Sequence, residues 1–285
     1  MPRPHIRIIK KRKIMSAEFI SSRNNRLAVR IHSLGQKKYR DAERLFRADG
    51  IKLFREAVAC RVQLYAVLLR ESGSDRFLPE AGSAGCPVYL LADGVFDKIS
   101  EEKSPEGIIS VIKYLDSLHK SAKIKKEAAS LIGPGDSVLA LESVRDPGNF
   151  GTVVRSAAAF GVDTLLVSSD CADQYGPRAV RAAMGALFSR RIIRTDDLPG
   201  TLSLLRESGR RVFSAALDKN AVSLQDMTPL PGDVFVIGNE GRGLSPEVIS
   251  VSDSCVFIPM ETGPGIESLN AATAASVIMY EKKRC

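Results

Sequence analysis

Three stretches in the second half of the chain each place polar side chains and glycine directly after an apolar run. The side chains available for chemistry there are an amide and a guanidinium six residues apart, a carboxylate among glycines, and a hydroxyl near an amide: Asn149, Arg155, Glu240, Ser268 and Asn270. Asn149 and Arg155, one and a half helical turns apart, can face one cavity from a helix N-terminus, which favours anions and oxygen ligands. We therefore expect a ligand site built from all three stretches.

Other familiar sites are missing from the sequence. It has no Rossmann G-x-G-x-x-G turn after the first strand, no P-loop ending in G-K-[ST] and no G-x-S-x-G elbow. The three histidines, His5, His32 and His119, lie in the front half, which excludes a histidine triad or histidine metal site from the second half. We expect no metal, and acid–base chemistry there must use Arg, Glu, Ser or Asn.

The elements that position these side chains alternate between strand and helix. The predicted strands are Val138–Ser143, Thr164–Ser168, Arg191–Arg194, Val212–Ala216, Val234–Ile237 and Val256–Met260. The predicted helices between them are Gly151–Phe160, Arg178–Phe188, Leu198–Glu207 and Pro246–Val251. Unbroken apolar strands separated by helices predict an α/β fold with a parallel sheet covered on both faces. Ligands bind at the carboxyl ends of such strands, where the three polar turns fall.

The third stretch is predicted as a buried strand, a loop and a helix. Glu261–Ile266 is the glycine-containing loop, and Ser268 is placed to cap the helix that follows. Two interpretations of this stretch stay open: it forms part of a ligand site, or its helix only closes the core. In the same way, Glu240 either serves the site or only anchors its loop. Arg155 either faces the ligand or pairs with a carboxylate on the helix surface.

The front of the chain predicts a smaller α/β domain. Its predicted strands are Arg44–Ala48, Val62–Leu69, Pro87–Leu91 and Gly107–Ile112. Its predicted helices are one capped by Ser22 or Asn24, then Ile51–Ala59 and Val95–Ser100. We divide the chain into a basic tail (1–20), this domain (21–115), a lysine-rich linker or exposed helix (116–134) and the second domain (135–285).

Positive charge is concentrated at the front end. Residues 1–55 hold 16 Lys and Arg against 4 Asp and Glu, a net charge of +12, whereas the whole chain has +8. Such a region favours nucleic acid, because binding releases counterions condensed on the phosphates. Lys37, Lys38 and Arg40, in a predicted basic loop after Gly35, are candidate RNA contacts, and the alternative is a solvated loop.

Composition also bears on the compartment. Five cysteines, an odd number without a C-x-x-C pair, favour a reducing compartment, and we expect the cytoplasm. No apolar run approaches the ~18 residues of a membrane span, so no membrane is expected. Three interpretations of the basic tail stay open: it binds phosphate, it is merely solvated, or it is an organelle transit peptide. The last is possible because no acidic residue precedes Glu18.

Three motifs in chain order carry a resemblance to a known family. They are Asp146-Pro147-Gly148-Asn149-Phe150-Gly151 with Arg155, Gly238-Asn239-Glu240 with Gly243-Leu244, and Ile258-Pro259-Met260 with Ser268-Leu269-Asn270. In order and in placement after strands, they resemble the motifs of the SpoU/TrmH family of RNA ribose 2′-O-methyltransferases. The front domain resembles the small substrate-binding domain of ribosomal RNA members, with Asp49-Gly50 where these usually have Glu-Gly.

The resemblance implies a fold, a cofactor and partners. The fold is a doubly wound parallel sheet whose C-terminal segment forms a deep trefoil knot, in a homodimer with the active site near the subunit interface. The methyl donor is S-adenosylmethionine, bound by main-chain groups around Gly238, Ile258, Met260 and Leu269. The loop of residues 261–267 is about two residues longer than is usual in the family.

The resemblance also implies roles for the polar side chains. A ribose 2′-hydroxyl is a poor nucleophile and must lose its proton as it attacks the sulfonium methyl. The family gives that task to Arg155; because arginine stays protonated, we expect Arg155 to stabilise the developing alkoxide or hold the adjacent phosphate. Asn149 would orient the substrate or Arg155, and Glu240 would fix the hydrogen bonds of the site. Ser268 and Asn270 would line the pocket.

The sequence therefore predicts an S-adenosylmethionine-dependent methyltransferase for ribose 2′-hydroxyls of structured RNA, with large-subunit ribosomal RNA as the first candidate. One alternative is a non-catalytic RNA-binding or ribosome-assembly factor that keeps the fold. Another is a transfer RNA enzyme, which the separate front domain disfavours.

Overall fold

The computed structural model describes residues 17–261 and 268–284, which form two sheets. The first domain (residues 17–115) contains a five-stranded mixed sheet. Its strands are β1 (Glu18–Ile20), β2 (Leu45–Asp49), β3 (Leu64–Arg70), β4 (Val88–Leu91) and β5 (Ile108–Lys113). Its helices are α1 (Arg26–Ser33), α2 (Lys37–Glu43), α3 (Ile51–Ala59), α4 (Leu78–Gly82) and α5 (Asp93–Ile99), with a 3₁₀ turn at Ser74–Arg76. The strand order is β1-β4-β3-β5-β2, and β5 is antiparallel to β3 and β2.

The second domain (residues 116–284) is built on an eight-stranded sheet. Its strands are β6 (His119–Ala122), β7 (Val138–Leu141), β8 (Thr164–Ser168), β9 (Arg191–Thr195), β10 (Val212–Ala215), β11 (Val222–Ser223), β12 (Val234–Ile237) and β13 (Ser254–Phe257). Its helices are α6 (Lys125–Ser130), α7 (Pro147–Phe160), α8 (Pro177–Ala183), α9 (Leu198–Glu207), α10 (Pro246–Val251) and α11 (Ala271–Arg284), with 3₁₀ turns at Ala186–Phe188 and Leu224–Asp226. The order is β11-β13-β10-β12-β7-β8-β9-β6, and neighbouring strands are parallel.

Alternate residues of the central strands pack on opposite faces of this sheet. On β7, Leu139 and Leu141 join the core under α7, α8 and α11, whereas Val138 and Ala140 join the core under α6, α9 and α10. Because both faces are covered, the strand has to be apolar at every position. The predicted parallel sheet with helices on both faces is confirmed, and several elements match to the residue: α3, β8, α9, β12 and α10.

Two predicted boundaries are wrong. The strand β1 falls inside the predicted tail 1–20, where it pairs with β4; residues 1–16 lie outside the described part. The predicted linker or exposed helix 116–134 does contain a helix, α6, but it also contains β6, which pairs with β9 at the sheet edge, so the segment belongs to the second sheet. The lysines that suggested a linker are exposed side chains of the edge strand (Lys120), of α6 (Lys125 and Lys126) and of the turn between them (Lys123), and lysine is common on edge strands.

Two predicted elements also differ in type or length. The predicted basic loop 36–40 is mostly the helix α2, which starts after Gln36. The predicted helix Arg178–Phe188 ends early, because Met184 and Gly185 take left-handed φ values of 51° and 93°. Gly185 lies against α3 of the first domain, where an added Cβ would come within 2.7 Å of Glu56 Cγ. Close contact between the domains therefore coincides with the break in this helix.

A buried cluster of aromatic and hydrogen-bonding side chains joins the two domains. The hydroxyl of Tyr175 accepts the N–H of Leu115 at 2.8 Å and lies 2.8 Å from Nδ1 of His119. The Tyr175 ring stacks on Tyr114, with ring centroids 4.0 Å apart. Burial lowers the pKa of His119 to about 4, so the imidazole is neutral in the folded protein near pH 7.

One prediction concerns acid stability through His119. Its pKa lies near 4 in the folded chain against 6.5 for the free side chain, so the unfolded state binds the extra proton between these values. Stability from the neutral imidazole is complete above pH 6.5 and is lost as the pH falls towards 4, by up to about 3 kcal/mol. His119→Asn, whose Oδ1 can replace Nδ1, should lose correspondingly less stability over this range in urea unfolding. Equal losses in both proteins would contradict this.

Among the described residues, no helix combines the length and the apolar character needed to cross a membrane.

Candidate active site

One side-chain amide joins all three sequence stretches. Asn149 lies in the first turn of α7, where its main-chain N–H donates to Oδ1 of the capping residue Asp146 at 2.8 Å. Its side-chain Nδ2 donates to Glu240 Oε1 at 2.6 Å, and its Oδ1 accepts from Asn270 Nδ2 at 3.0 Å. Three segments far apart in the sequence thus meet through these three side chains.

Asn239 holds the turn that carries Glu240. Its main chain exchanges two hydrogen bonds with Gly243, at 3.0 and 2.9 Å, and its Oδ1 accepts the N–H of Gly241 at 3.0 Å. Its Nδ2 donates to the carbonyl oxygen of Ser143 at 2.8 Å, which ties this turn to the first stretch. Sequence reasoning missed this role, because an amide that binds the main chain and one that faces a ligand look alike in a sequence.

Glu142 fixes the far end of the same turn. Its two carboxylate oxygens accept from the hydroxyl of Ser245 at 2.6 Å and from the N–H of Ser245 at 2.8 Å. The Ser245 hydroxyl in turn caps α10 by accepting the N–H of Val248. In the sequence, the signal for this role is a carboxylate placed directly after a buried strand.

Asp170 holds a strained residue of the first stretch. Ser143 has a φ of 54°, which is unfavourable for a residue with a side chain. Its hydroxyl donates to Asp170 Oδ2 at 2.6 Å, and Arg145 Nη2 donates to the same oxygen at 2.7 Å. Burial opposes ionisation of Asp170, but the hydrogen bonds from Ser143, Ser168 and Arg145 outweigh it and lower the pKa to about 2. The carboxylate therefore stays charged and keeps Ser143 in place.

Arg194 supports the loop of residues 169–176, which connects Asp170 with the first domain. Its guanidinium donates five hydrogen bonds of 2.8–3.1 Å, to the carbonyl oxygens of Ser168, Ser169, Cys171 and Ala172 and to Oε1 of Gln174. At the end of this loop, Asp173 pairs with Arg40 of the first domain at 2.6 Å. The loop thus gives a continuous path of polar contacts from α2 to the first stretch of the site.

The third stretch is capped differently from the prediction. Asn270, and not Ser268, caps α11, because its Oδ1 accepts the N–H of Ala272 at 2.9 Å and that of Thr273 at 3.3 Å. Ser268 lies two residues before Asn270 and is exposed. The predicted loop Glu261–Ile266 is described only at Glu261, and its other residues lie outside the described part.

Arg155 does not contact this cluster. It lies six residues after Asn149 on α7, which rotates it by about 120° around the helix axis. It is exposed, together with Thr152 and Ala159, and within residues 17–261 and 268–284 its side chain makes no hydrogen bond or ion pair. The expectation that Asn149 and Arg155 face one cavity is therefore not met by the single chain, and neither is the alternative of a surface ion pair.

The candidate cofactor residues have main-chain groups without a hydrogen-bond partner among the described residues. Gly238, Ile258, Met260 and Leu269 are all half-buried, and no hydrogen bond within the described ranges uses their N–H or C=O groups. Backbone N–H and C=O groups need a hydrogen-bond partner, which here is water or a ligand. Their surroundings fit a ligand that is held by the main chain.

The predicted RNA contacts of the first domain have unlike surroundings. Lys37 and Lys38 are exposed on α2; Lys37 Nζ pairs with Asp41 at 2.5 Å, and Lys38 Nζ lies 4.7 Å from the ring centroid of Tyr39. Arg40 is only 4% exposed, and its guanidinium is occupied by the interface carboxylate and by main-chain oxygens. The prediction that Arg40 contacts RNA is therefore wrong.

The fold and this arrangement of motifs define the class of the protein. The chain belongs to the SpoU rRNA methylase family, which it matches over residues 136–280. Residues 25–110 match the MRM3-like substrate binding domain, which corresponds to the first sheet and its helices.

Individual relatives are similar over most of their length. The 23S rRNA (guanosine-2′-O-)-methyltransferase RlmB of Coxiella burnetii is 31% identical over 229 residues, covering 78% of this chain and 87% of the relative. The 23S rRNA (guanosine(2553)-2′-O)-methyltransferase RlmP of Bacillus subtilis is 27% identical over 261 residues, covering 92% and 97%. An AdoMet-bound rRNA methyltransferase from Sinorhizobium meliloti has a similar structure, with a TM-score of 0.79 at 25% identity, covering 94% of this chain and 98% of that one.

A glycine substitution tests the packing of the second stretch. A Cβ added to Gly238 would lie 2.4 Å from the carbonyl carbon of Gly243, so the turn has no room for alanine. Gly238→Ala should lower the free energy of unfolding by about 2 kcal/mol or more, measured in urea. Gly241→Ala is the matched control, since its Cβ would lie 3.6 Å from the nearest atom, an ordinary contact. Equal stability of the two variants would refute the packing described here.

Proposed function

We propose that this protein transfers a methyl group from S-adenosylmethionine to a ribose 2′-hydroxyl of large-subunit ribosomal RNA. The observation that carries the proposal is the Asn149 amide, which holds Glu240 and Asn270 together at the carboxyl ends of the parallel strands. Family membership and the 23S rRNA specificity in the names of two relatives support the reaction and the substrate class.

The proposed cofactor site lies beside this cluster. Main-chain groups of Gly238, Ile258, Met260 and Leu269 would hold S-adenosylmethionine, and the AdoMet-bound relative supports this choice of cofactor. When bound, the cofactor supplies an activated methyl group on a sulfonium. Asn149 and Glu240 would fix the position of the ribose through hydrogen bonds, and such positioning supplies much of the rate of a two-substrate reaction. Ser268 would line the same pocket.

Arg155 is the proposed charged group of the reaction. As an arginine it stays protonated, so it would stabilise negative charge developing on the 2′-oxygen or hold the adjacent phosphate. In the single chain Arg155 is exposed to water, where such a charge acts weakly. Its task therefore requires that another surface cover this face of α7.

We propose that a second copy of the chain provides that surface. The exposed face of α7 and α11 carries an aromatic pair, Phe160 and Tyr280, with ring centroids 6.0 Å apart, and Tyr280 is 52% exposed. Val277 on α11 is half-buried beside them. Apolar side chains rimmed by polar ones are typical of protein interfaces. A homodimer whose interface extends from this pair across the exposed Ala159 to Arg155 would bring Arg155 to the subunit interface.

Three further features belong to the proposal. A deep trefoil knot is supported by α11, which packs on α7 and β12 although the preceding strand, β13, lies two places away from β12 in the sheet. The first domain would bind RNA, with Lys37 and Lys38 among its exposed cations. The cytoplasm, as a reducing compartment, would suit the four free cysteines of the described ranges.

Calorimetry with S-adenosylmethionine separates this function from a non-catalytic RNA-binding factor with the same fold. The pure full-length protein should bind the cofactor at one site per chain. It should then label protein-free large-subunit ribosomal RNA from radioactive S-adenosylmethionine, with the label in 2′-O-methylated nucleosides. Absence of cofactor binding would favour the non-catalytic factor, and labelling of transfer RNA alone would contradict the proposed substrate.

Arg155→Ala should reduce methyl transfer at least about 100-fold, because a charge beside the developing alkoxide is lost. Cofactor affinity and melting temperature should stay unchanged, since Arg155 has no partner among the residues that the structure describes. Lys126→Ala, which removes an exposed charge from α6 on the opposite face of the sheet, is the control. Unchanged turnover in Arg155→Ala would remove this residue from the reaction.

Tyr280→Asp tests the proposed dimer. A carboxylate in an apolar interface is costly to bury, so the variant should sediment as a monomer at concentrations where the unaltered protein is a dimer. Tyr39→Asp, at a tyrosine that is 39% exposed on the first domain, should leave the dimer intact. If the unaltered protein is a monomer at tens of micromolar, or if Tyr280→Asp still dimerises, this interface is excluded.

A further inference from the structure

A groove of about 580 Å³ lies between the first domain and the amino ends of β6 and β9. Its first-domain wall comes from the ends of α2, α3 and β5, and Leu118 and Phe188 of the second domain close it. Because the candidate active site is at the carboxyl ends of the strands, this groove is at the opposite edge of the sheet. Its volume is within the range of small-ligand sites and can hold one nucleotide.

The groove carries an excess of positive charge. Four of its residues are cations: Arg30, Arg44, Arg61 and Lys113. Its two carboxylates are already used, because Glu43 pairs with Arg30 and Asp116 pairs with Arg44. Arg61 and Lys113 are exposed, and their side chains have no hydrogen bond or ion pair within residues 17–261 and 268–284. Two unneutralised cations thus face one groove.

The backbone at two of these cations is unfavourable for a residue with a side chain. Among the described residues only four other than glycine have a positive φ, and two of them are Arg44 and Arg61, both at 54°. Both follow a helix end, where glycine is the preferred residue because a Cβ costs about 1 kcal/mol. Backbone stability alone would therefore favour glycine at both positions. An arginine in each place indicates that the side chain has a use.

One of the guanidinium groups is already ordered as a flat surface. Arg44 lies over the ring of Tyr114, 4.5 Å from its centroid, and is held there by Asp116. The Tyr114 ring also stacks on the buried Tyr175. The Arg44 side chain remains 56% exposed. Unpaired RNA bases stack on guanidinium planes in this way, and a fixed plane loses little entropy on binding.

We propose that this groove binds an unpaired nucleotide of the RNA, away from the nucleotide that is methylated. The base stacks on the Arg44 guanidinium, and Arg61 and Lys113 bind the flanking phosphates. This inference rests on the proposed function, since it takes RNA as the substrate. It adds a second point of recognition, at the amino edge of the sheet.

The decisive variant is Arg61→Gly, because it removes the charge and relieves the left-handed backbone at once. The full-length protein should melt no lower than the unaltered one. Its affinity for in vitro transcribed large-subunit ribosomal RNA should fall about fivefold at 150 mM KCl, the contribution of one phosphate contact. The slope of log affinity against log salt should decrease by about one. Lys113→Gln should behave alike, and Lys98→Gln, an exposed cation outside the groove, should change neither quantity.

Cys60 offers an independent readout, because it lines the groove and is exposed, whereas Cys86, Cys171 and Cys255 are buried. In a Cys285→Ser background, saturating RNA should slow alkylation of Cys60 several-fold. If the unaltered protein binds and methylates the RNA, but Arg61→Gly and Lys113→Gln bind normally and Cys60 stays reactive, the groove proposal fails alone. If the unaltered protein binds no RNA, the groove and the proposed function both fail.

Discussion

The candidate site depends on an amide that donates and accepts hydrogen bonds on one rigid plane. Asn149 donates to Glu240 and accepts from Asn270, which allows few other residue types at this position. An aspartate would place a second carboxylate about as close to Glu240 as the amide is now, and like charges at that distance repel strongly. Asn270 also caps α11, and the main-chain N–H of Asn149 donates to Asp146, the capping residue of α7. The starts of both helices are therefore fixed by the same contacts that assemble the site.

A second layer of polar contacts holds these residues in place. Asn239 ties the glycine-rich turn to Ser143, whose strained backbone is held by the ionised Asp170. Asp170 belongs to the loop that Arg194 supports, and the same loop reaches the first domain through Asp173. Support of this kind keeps reacting groups within the narrow tolerance that catalysis needs. RNA held by the first domain would thus be held in a fixed relation to the site.

Much of the fold could be predicted because central strands such as β8 and β12 are buried on both faces and must be apolar throughout. The edge strand β6 could not, since only its first and last residues, His119 and Ala122, are buried and the surrounding lysines resemble those of a linker. For the site, glycine, amide and carboxylate directly after strands were sufficient to find Asn149 and Glu240. Arg40 shows the limit: a sequence does not reveal whether an arginine binds phosphate or a distant carboxylate such as Asp173.

The position of Arg155 explains why one chain alone is an incomplete site under the proposed function. The Asn149 cluster provides polar contacts but only one formal charge, the carboxylate of Glu240, which cannot stabilise a developing alkoxide. A positive charge is required, and on α7 it is Arg155, which the helix geometry turns away from the cluster and into solvent. The aromatic pair Phe160 and Tyr280 lies farther along α7 and α11, with Phe160 about 140° around the helix axis from Arg155. A partner that covers the exposed side of α7 would desolvate the guanidinium, so under the proposed function catalytic competence would depend on assembly.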